Sequence, residues 1–362
     1  MIGTILLFLA ILSILVLAHE WGHYFTAKRV GAKVEEFGLG FPPRAYVWKG
    51  KDGMKWSLNW IPLGGFVKIK GESGEHRSDS DSFGHKSIPA RLLVLSAGVI
   101  MNFVVAAALF SIGFMIGVPS VVEGDIGSSA IVHDRAISVT EVIAGSPAAE
   151  AGMKVGDQII EINGDSFETS EAARDALAVT ADHRDFEVTV LRGGDQFEFH
   201  LLPRYYEEYD RELVGVALLQ TGTVRYPWYL APGKGIVTTY SYTREILAAF
   251  GGIISNLVHG EKAGVDVSGP VGIAVMTGEI AQLGVIYLLQ FAAILSINLA
   301  IINILPFPAL DGGRVFFVLI EAVRRKPNNA TVEAVVHNLG FALLMILVVV
   351  VTYRDILNLI KG

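Results

Sequence analysis

The chain has 362 residues, of which 52% are hydrophobic and only 18% are charged, and it contains no cysteine. A soluble chain usually carries about 25% charged residues, so this composition argues against a wholly soluble enzyme and against a disordered chain. The absence of cysteine excludes a disulfide-built scaffold, thiolate zinc sites and thiol nucleophiles. The net charge of −7 supplies no basic field for nucleic acid, and we expect no nucleic-acid partner.

Four apolar stretches are candidates for membrane spans, at residues 2–18, 92–118, 283–305 and 339–351. Each is close to the roughly 20 residues that cross a hydrocarbon core of about 30 Å. The first stretch lacks a basic start and a small-residue cleavage site, so we expect a retained helix rather than a signal peptide. A fifth stretch, 236–258, contains Arg244 and Glu245, and we interpret it as an interfacial amphipathic helix rather than a span.

The basic residues predict how these spans are oriented. The connections after the first and third spans carry Lys28, Arg29, Lys33, Arg44, Lys49, Lys51, Lys55, Lys68, Lys70, Arg314, Arg324, Arg325 and Lys326. Basic connections stay in the cytoplasm, which places the N-terminus, residues 119–282 and the C-terminus on the outside. The first and third spans then run in the same direction, so the ends that follow them meet at one membrane face.

Residues 19–23 form an H-E-x-x-H motif at the end of the first apolar stretch. On a helix, positions i and i+4 share a face, so His19 and His23 can bind one Zn²⁺ while Glu20 reaches the reacting water as general base. The alternative is a pair of histidines that reach the membrane interface from a helix end. Because ionisable groups in or beside a membrane span are costly and usually functional, we favour the zinc site.

Two histidines leave a zinc enzyme one protein ligand short, since catalytic zinc usually has three. The extended metzincin motif needs a glycine and a histidine at positions that hold Thr26 and Arg29 here, so that class is excluded. Glu35 and Glu36 are possible ligands in a charged loop. Asp311 is the better candidate. It follows the third span, which runs in the same direction as the first, so it should lie at the same membrane face as the two histidines.

The segment before Asp311 contains features that break a helix. Pro306 and Pro308 interrupt the end of the third span, and Gly312 and Gly313 allow close approach of the backbone. Irregular backbone at membrane depth is tolerated only where protein or a wet cavity surrounds it. An aspartate that merely caps the next helix is the alternative interpretation.

With these motifs in place, the sequence resembles the site-2 proteases, a family of intramembrane zinc metalloproteases, in its bacterial branch with one PDZ domain. The resemblance rests on two motifs, H-E-W-G-H at 19–23 and N-I-L-P-F-P-A-L-D-G-G at 303–313. The resemblance implies zinc ligands His19, His23 and Asp311, with Glu20 as catalytic base. The stretches F-G-L-G-F-P-P and W-S-L-N-W-I-P-L-G-G-F-V-K-I are similar to the family's membrane-associated β region, and S-G-P-V-G-I-A at 268–274 matches its pattern before the third helix.

The resemblance also suggests residues that contact the substrate, namely Asn102, Asn303, Pro306 and Pro308. One departure is visible, because the family usually has Ala-Gly-Pro before its second-helix asparagine, whereas Val99 follows Gly98 here. For both asparagines, a plain interhelical hydrogen bond is an equally good interpretation.

Residues 121–203 have the character of a soluble domain and resemble a PDZ domain. The runs 137–142 and 187–191 alternate as strands, and residues 146–164 read as a short helix, a turn, a strand and an Asn-Gly turn. PDZ domains bind extended peptide by strand addition, although this one could serve only as a size filter. The letters G-L-G-F at 38–41 imitate a PDZ loop but lie in a different region.

We therefore predict an α-helical polytopic membrane protein with about four transmembrane helices, a small membrane-associated β region and an inserted α+β PDZ domain. The predicted parts are the first span with H-E-x-x-H (1–27), a cytoplasmic β region and loop (28–90), the second span (91–118), the extracytoplasmic PDZ domain (121–203), an extracytoplasmic linker with an amphipathic helix (204–282), the third span with the aspartate motif (283–313), a cytoplasmic loop (314–336) and the fourth span (337–362).

The predicted function is zinc-dependent cleavage of single-pass membrane proteins in the bacterial inner membrane, for example anti-sigma factors or signal-peptide remnants. The expected partners are these substrates, membrane lipid, and a peptide or ectodomain at the PDZ domain. Two alternatives remain, a membrane zinc protease of protein quality control and a catalytically inactive PDZ scaffold. A transporter would leave the H-E-x-x-H motif and the exterior domain unexplained.

Overall fold

A computed structural model of the chain describes residues 2–72, 74–123, 129–178, 185–207, 210–260 and 269–361. The chain divides into two compact units. The membrane unit comprises Met1–Gly113 and Ala231–Gly362, and the inserted unit comprises Phe114–Leu230. Ser268 of the predicted 268–274 motif and the terminal Gly362 lie outside the described residues.

The α-helices of the described residues, in chain order, are α1 (Ile2–Arg29), α2 (Ile88–Ile116), α3 (Pro147–Ala151), α4 (Ser170–Ala176), α5 (Ala231–Val258), α6 (Pro270–Leu283), α7 (Val285–Ile304), α8 (Asp311–Arg324) and α9 (Ala330–Lys361). The strands are β1 (Val34–Lys49), β2 (Lys55–Ile69), β3 (Val118–Val121), β4 (Ile131–Val142), β5 (Gln158–Ile162), β6 (Phe186–Arg192), β7 (Asp195–Leu201), β8 (Arg204–Tyr206), β9 (Arg211–Leu213) and β10 (Val216–Arg225).

Four helices of the described residues are long and apolar enough to cross a membrane, and they are α1, α2, α7 and α9. They are also poorly buried by protein, most clearly α9, whose most apolar window is only 6% buried. Apolar side chains that no protein covers are expected where lipid is the solvent. Together with the β region and the inserted α+β unit, these helices confirm the predicted fold class.

The helices differ in extent from the apolar stretches. α1 continues through the H-E-x-x-H motif to Arg29, and α9 begins at Ala330, before the predicted start at 339. Polar residues with adequate helix propensity extend both helices beyond the apolar windows. α6 and α8 flank the third span and were not predicted as separate helices. α5 covers the stretch predicted to be amphipathic and is not among the four candidate spans.

β1 and β2 form an antiparallel hairpin in the membrane unit, which confirms the predicted β region. Its register runs from Val34 opposite Ile69 to Lys49 opposite Lys55. The hairpin lies directly against α1, because a Cβ added at Gly64 would stand 2.9 Å from Cγ1 of Val16. This contact brings β2 beside the helix that carries the H-E-x-x-H motif.

The inserted unit is built on a six-stranded antiparallel sheet with the order β3-β10-β4-β5-β6-β7. Its core is fully buried and apolar, and includes Phe186, Val188, Val190 and Leu201. Ser146 and Thr169 cap α3 and α4 by accepting backbone N–H groups. The sheet includes β10, which follows the range 121–203 predicted for this domain, and β3, which begins before it.

Candidate metal centre

α1 places the two histidines of the motif on one face, as the helical spacing predicts. The Nε2 atoms of His19 and His23 are 3.1 Å apart, and each residue is only 6% exposed. α8 brings the carboxylate of Asp311 to the same point, with Oδ2 2.9 Å from Nε2 of His19 and 3.2 Å from Nε2 of His23. Residues 288 or more positions apart in the chain therefore converge on one small volume.

The backbone between α7 and α8 explains how Asp311 reaches the histidines. α7 ends at Ile304, and α8 begins at Asp311 itself. Ala309 adopts a positive φ of 81°, and its N–H donates to Nδ1 of His337 on α9 over 2.9 Å. Gly312 lies so close to the carbonyl groups of Ile304 and Leu305 that a Cβ there would overlap them. The turn is thus compact, and the hydrogen bond to His337 fixes it to α9.

Glu20 lies beside the cluster and is anchored by the hairpin. Its Oε2 accepts a hydrogen bond of 2.9 Å from the backbone N–H of Val67 on β2. Glu20, His19 and Asp311 line one cavity of about 530 Å³. The other lining residues are Phe8, Leu12, Val16, Phe41, Gly64, Gly65, Asn102, Pro270, Leu299, Asn303, Ala309 and Leu310.

α2 contacts the far side of both imidazoles. Nδ1 of His23 donates to the carbonyl of Val94 over 2.8 Å, and the amide of Asn102 lies 3.2 Å from Nδ1 of His19. Gly98 lies between these two contacts, and a Cβ at that position would overlap both rings. The sequence did not predict the roles of Val94 and Val67. Val94 acts through its backbone carbonyl and Val67 through its backbone N–H, and no side-chain pattern marks either group.

The other predicted site residues are distributed differently. Glu35 pairs with Lys68 over 2.9 Å, and Glu36 pairs with Arg44 over 2.6 Å, so neither joins the cluster. Asn102 and Asn303 line the cavity. Pro306 and Pro308 are not among its described lining residues; Pro308 instead packs against Gly340 on α9.

The donor set fits Zn²⁺. Two imidazole nitrogens and a carboxylate oxygen are the donors found in catalytic zinc sites with three protein ligands, and here they lie within 4.8 Å of one another. Among the described residues, His19, His23 and Asp311 are the one group of three that could hold a metal ion in this way. Partners on Nδ1 of each histidine leave Nε2 directed at the cluster, as metal ligation requires.

Comparison with known proteins agrees with this geometry. The profile of peptidase family M50 matches residues 7–347. A Clostridium perfringens protein named as a candidate zinc metalloprotease is 36% identical over 95% of this chain and 96% of its own length. The regulator of sigma-W protease RasP of Bacillus subtilis is 29% identical over 99% of both chains.

Among solved structures, the PDZ domain of an SdrC-like protein of Listeria monocytogenes is 20% identical and covers 24% of this chain and 90% of its own, with a TM-score of 0.22. The extent of the family match and the identity to the clostridial relative decide the assignment. They confirm the predicted resemblance, the metalloprotease activity and the zinc cofactor. The chain belongs to peptidase family M50, the site-2 protease family of zinc metalloproteases.

Proposed function

We propose that this chain is an intramembrane protease that cleaves single-pass membrane proteins, with His19, His23 and Asp311 as zinc ligands and Glu20 as catalytic base. The observation that carries the proposal is the convergence of the three donor atoms beside Glu20, in a cavity lined by three of the candidate membrane helices, α1, α2 and α7. A protease of soluble substrates has no need for a site within such helices.

The roles follow from the chemistry of each group. Zinc bound there would polarise the scissile carbonyl and lower the pKa of the reacting water. Glu20 accepts the proton of the attacking water and donates it to the leaving amine. Its Oε2 is held by the Val67 N–H, so Oε1 is the oxygen available for proton transfer. The hairpin thus orients the base from outside the helix.

The cavity suits an extended apolar peptide. Phe8, Leu12 and Val16 provide one apolar wall on α1, and Leu299 extends it on α7. A substrate helix must unwind before its backbone reaches the zinc, which leaves peptide groups that need partners at membrane depth. Asn303 is the polar side chain of α7 on the cavity wall, and we assign it to a backbone group of the substrate.

The natural substrates are proposed from a relative. The protein of Bacillus subtilis is named a regulator of sigma-W protease, which favours anti-sigma factors or similar regulatory proteins as substrates of this chain. Signal-peptide remnants have the same single-span form. The inactive scaffold is the weaker alternative, because Glu20 and all three donors are present and converge. Quality control of soluble or misfolded proteins would use the same site on other substrates.

The inserted unit has a cavity of its own, which we propose as the contact for a peptide or an ectodomain. It measures about 440 Å³ and lies between α4 and the beginning of β10, with Leu177, Val216 and Leu218 in its lining. The edge of β10 at 221–224 pairs with β3, whereas its first residues adjoin the cavity. Strand addition there would select extended segments, and steric exclusion would select by size.

We also propose the orientation predicted from the charges, with the zinc site towards the cytoplasm and the inserted unit outside. Because the chain has no cysteine, single cysteines can be introduced without background. Lys51→Cys and Arg325→Cys should resist an impermeant thiol reagent in intact cells, whereas Asp165→Cys should react. Reaction of only one of the first two would place the ends of the first and third spans on opposite sides and defeat the proposal.

Purified full-length protein in detergent tests the activity itself. A peptide with one apolar span should be cut, a chelator should abolish cleavage, and zinc should restore it. A soluble peptide of the same scissile sequence without the span serves as the control and should be cut far more slowly. Equal cleavage of the two peptides would favour the quality-control alternative. No cleavage by zinc-loaded protein would favour the scaffold.

A further inference from the structure

One face of α2 lies against both zinc-site imidazoles. Val94, Gly98 and Asn102 are spaced four residues apart, so they lie along one side of the helix. Val94 reaches His23 and Asn102 reaches His19, so the two helices run antiparallel here. Gly98, midway, has no Cβ that would hold the helices apart.

The contact to His23 has only one possible direction. A carbonyl oxygen can only accept, so Nδ1 of His23 carries the hydrogen that bonds to Val94. The neutral ring then has its lone pair on Nε2, which faces Asp311 and His19. His23 is therefore set in the tautomer that binds a metal through Nε2.

The contact to His19 can run either way, because an amide can donate from its nitrogen or accept through its oxygen, and the two ends have nearly the same shape. If the nitrogen donates, Nδ1 of His19 has no hydrogen, and Nε2 carries it towards Asp311. That tautomer cannot bind a metal through Nε2. In that orientation Oδ1 of Asn102, on a residue with 0% exposure, has no hydrogen-bond partner among the described residues. Turning the amide places its nitrogen there instead, so the choice between the two orientations rests on the tautomer that metal binding requires.

We propose that Asn102 is a positioning residue for the zinc site, whose Oδ1 accepts a hydrogen bond from Nδ1–H of His19 and thereby fixes the metal-binding tautomer. This inference rests on the ligand set given under the proposed function. It assigns Asn102 to the support of a ligand rather than to the substrate. Side-chain acceptors of this kind orient ligating histidines and raise their basicity. α2 thus supplies both supports, one from its backbone and one from a side chain.

Zinc affinity of the full-length protein, measured by competition with a chromophoric chelator, tests this assignment without reference to activity. Asn102→Leu keeps the volume but removes the acceptor, and it should weaken zinc binding about 10- to 100-fold, the usual cost of losing such a partner. Asn102→Asp keeps an acceptor and has no donor, so its affinity should stay close to that of the parent. Asn298→Leu, which removes an α7 asparagine whose side chain donates to Ile294 of its own helix, should bind zinc like the parent.

Two results would overturn the proposal. If Asn102→Asp loses as much affinity as Asn102→Leu, the amide acts as a donor. If both variants bind zinc like the parent and raise KM instead, Asn102 contacts the substrate. His19→Ala separates these outcomes from failure of the proposed function, because a His19→Ala protein with parental zinc affinity would remove the ligand set itself. The Asn298 variant shows whether loss of an asparagine from the bundle alone affects zinc binding.

Discussion

The inserted unit buries the carboxylate of Asp157, the membrane unit partly buries that of Asp311, and the partners of the two carboxylates differ. Asp157 in the inserted unit is 1% exposed and accepts two bonds from Arg192, at 2.6 and 2.7 Å, and one of 2.8 Å from the backbone of Lys154. The Asp157 carboxylate also raises the pKa of Arg192, so the guanidinium stays charged. Asp311 in the membrane unit faces two imidazoles through a single oxygen, with no arginine or lysine bonded to it among the described residues.

The difference in partners distinguishes a structural carboxylate, Asp157, from a candidate metal ligand, Asp311. A buried charge that is paired and fully hydrogen-bonded stabilises one conformation, and removing its partner is costly. A partly buried carboxylate that faces two imidazole nitrogens, with no lysine or arginine as partner, suits a metal cation. Asp157 has its cation in the chain, whereas the cluster around Asp311 has the donor set for zinc. Chemistry is therefore expected in the membrane unit, and the inserted unit is expected to act through its surface.

The largest expected effect is that of Glu20→Gln. The amide cannot accept the water's proton, so kcat should fall by about 10³-fold or more, while zinc stays bound because all three ligands remain. Cleavage of a single-span peptide and zinc content per chain are the two measurements. Glu245→Gln on α5 is the control and should leave both unchanged. Parental turnover of Glu20→Gln would remove Glu20 from the mechanism.

The two carboxylates themselves can be exchanged for amides to sharpen the comparison. Asp311→Asn should lower zinc affinity by about two orders of magnitude, because a neutral amide is a poor zinc ligand, without loosening the inserted unit. Asp157→Asn should leave zinc affinity unchanged but destabilise the inserted unit by about 3–5 kcal/mol, the usual cost of breaking a buried pair. Chelator competition and limited proteolysis of the full chain report the two effects.

The reverse pattern would contradict the comparison. If Asp311→Asn binds zinc as the parent does, the third ligand lies elsewhere, and Glu35 and Glu36 become the next candidates. Their ion pairs with Lys68 and Arg44 would then have to break on metal binding.

Removal of the inserted unit should have the smallest effect on chemistry. Residues 114–230 contain no proposed ligand, and the helices on either side meet within the membrane unit, where Gly235 packs against Ser111. A short Gly/Ser linker in their place should leave cleavage of a pre-shortened substrate within about threefold, since none of its contacts stabilise the transition state. Discrimination against substrates with bulky ectodomains should decrease.

The bounds 114–230 suit this experiment better than the predicted 121–203, because β10 pairs with β4 and deletion of 121–203 would remove β4 but leave β10. A folded, zinc-loaded deletion variant that is inert on the short substrate would show that the inserted unit contributes to the reaction itself.

The parts of the site that depend on side-chain type were accessible from the sequence. The spacing of His19 and His23 predicted a shared helical face, and the shared direction of the first and third spans predicted that Asp311 lies at the same membrane face. The convergence of these three residues agrees with that reasoning. The four spans were predictable for the same reason, since length and apolarity alone define them.

The parts that depend on backbone groups or distant packing were not accessible. Val94 and Val67 act through a carbonyl and an N–H, which any residue at those positions could supply. The hydrogen bond from Ala309 to His337 joins a loop to another helix, and no local pattern marks it. α6 and α8 were not predicted because each is a short helix next to the third span. A hydropathy pattern does not separate such a helix from the span beside it.

X-ray absorption at the zinc edge of the full-length protein tests the central claim most directly. One zinc per chain should be found, coordinated by two imidazole nitrogens at about 2.0–2.1 Å and by oxygens at about 2.0–2.2 Å. Replacing His23 with alanine should remove one of the two imidazole signals. A spectrum with one or three imidazoles in the parent protein, or one unchanged by His23→Ala, would contradict the site formed by His19, His23 and Asp311.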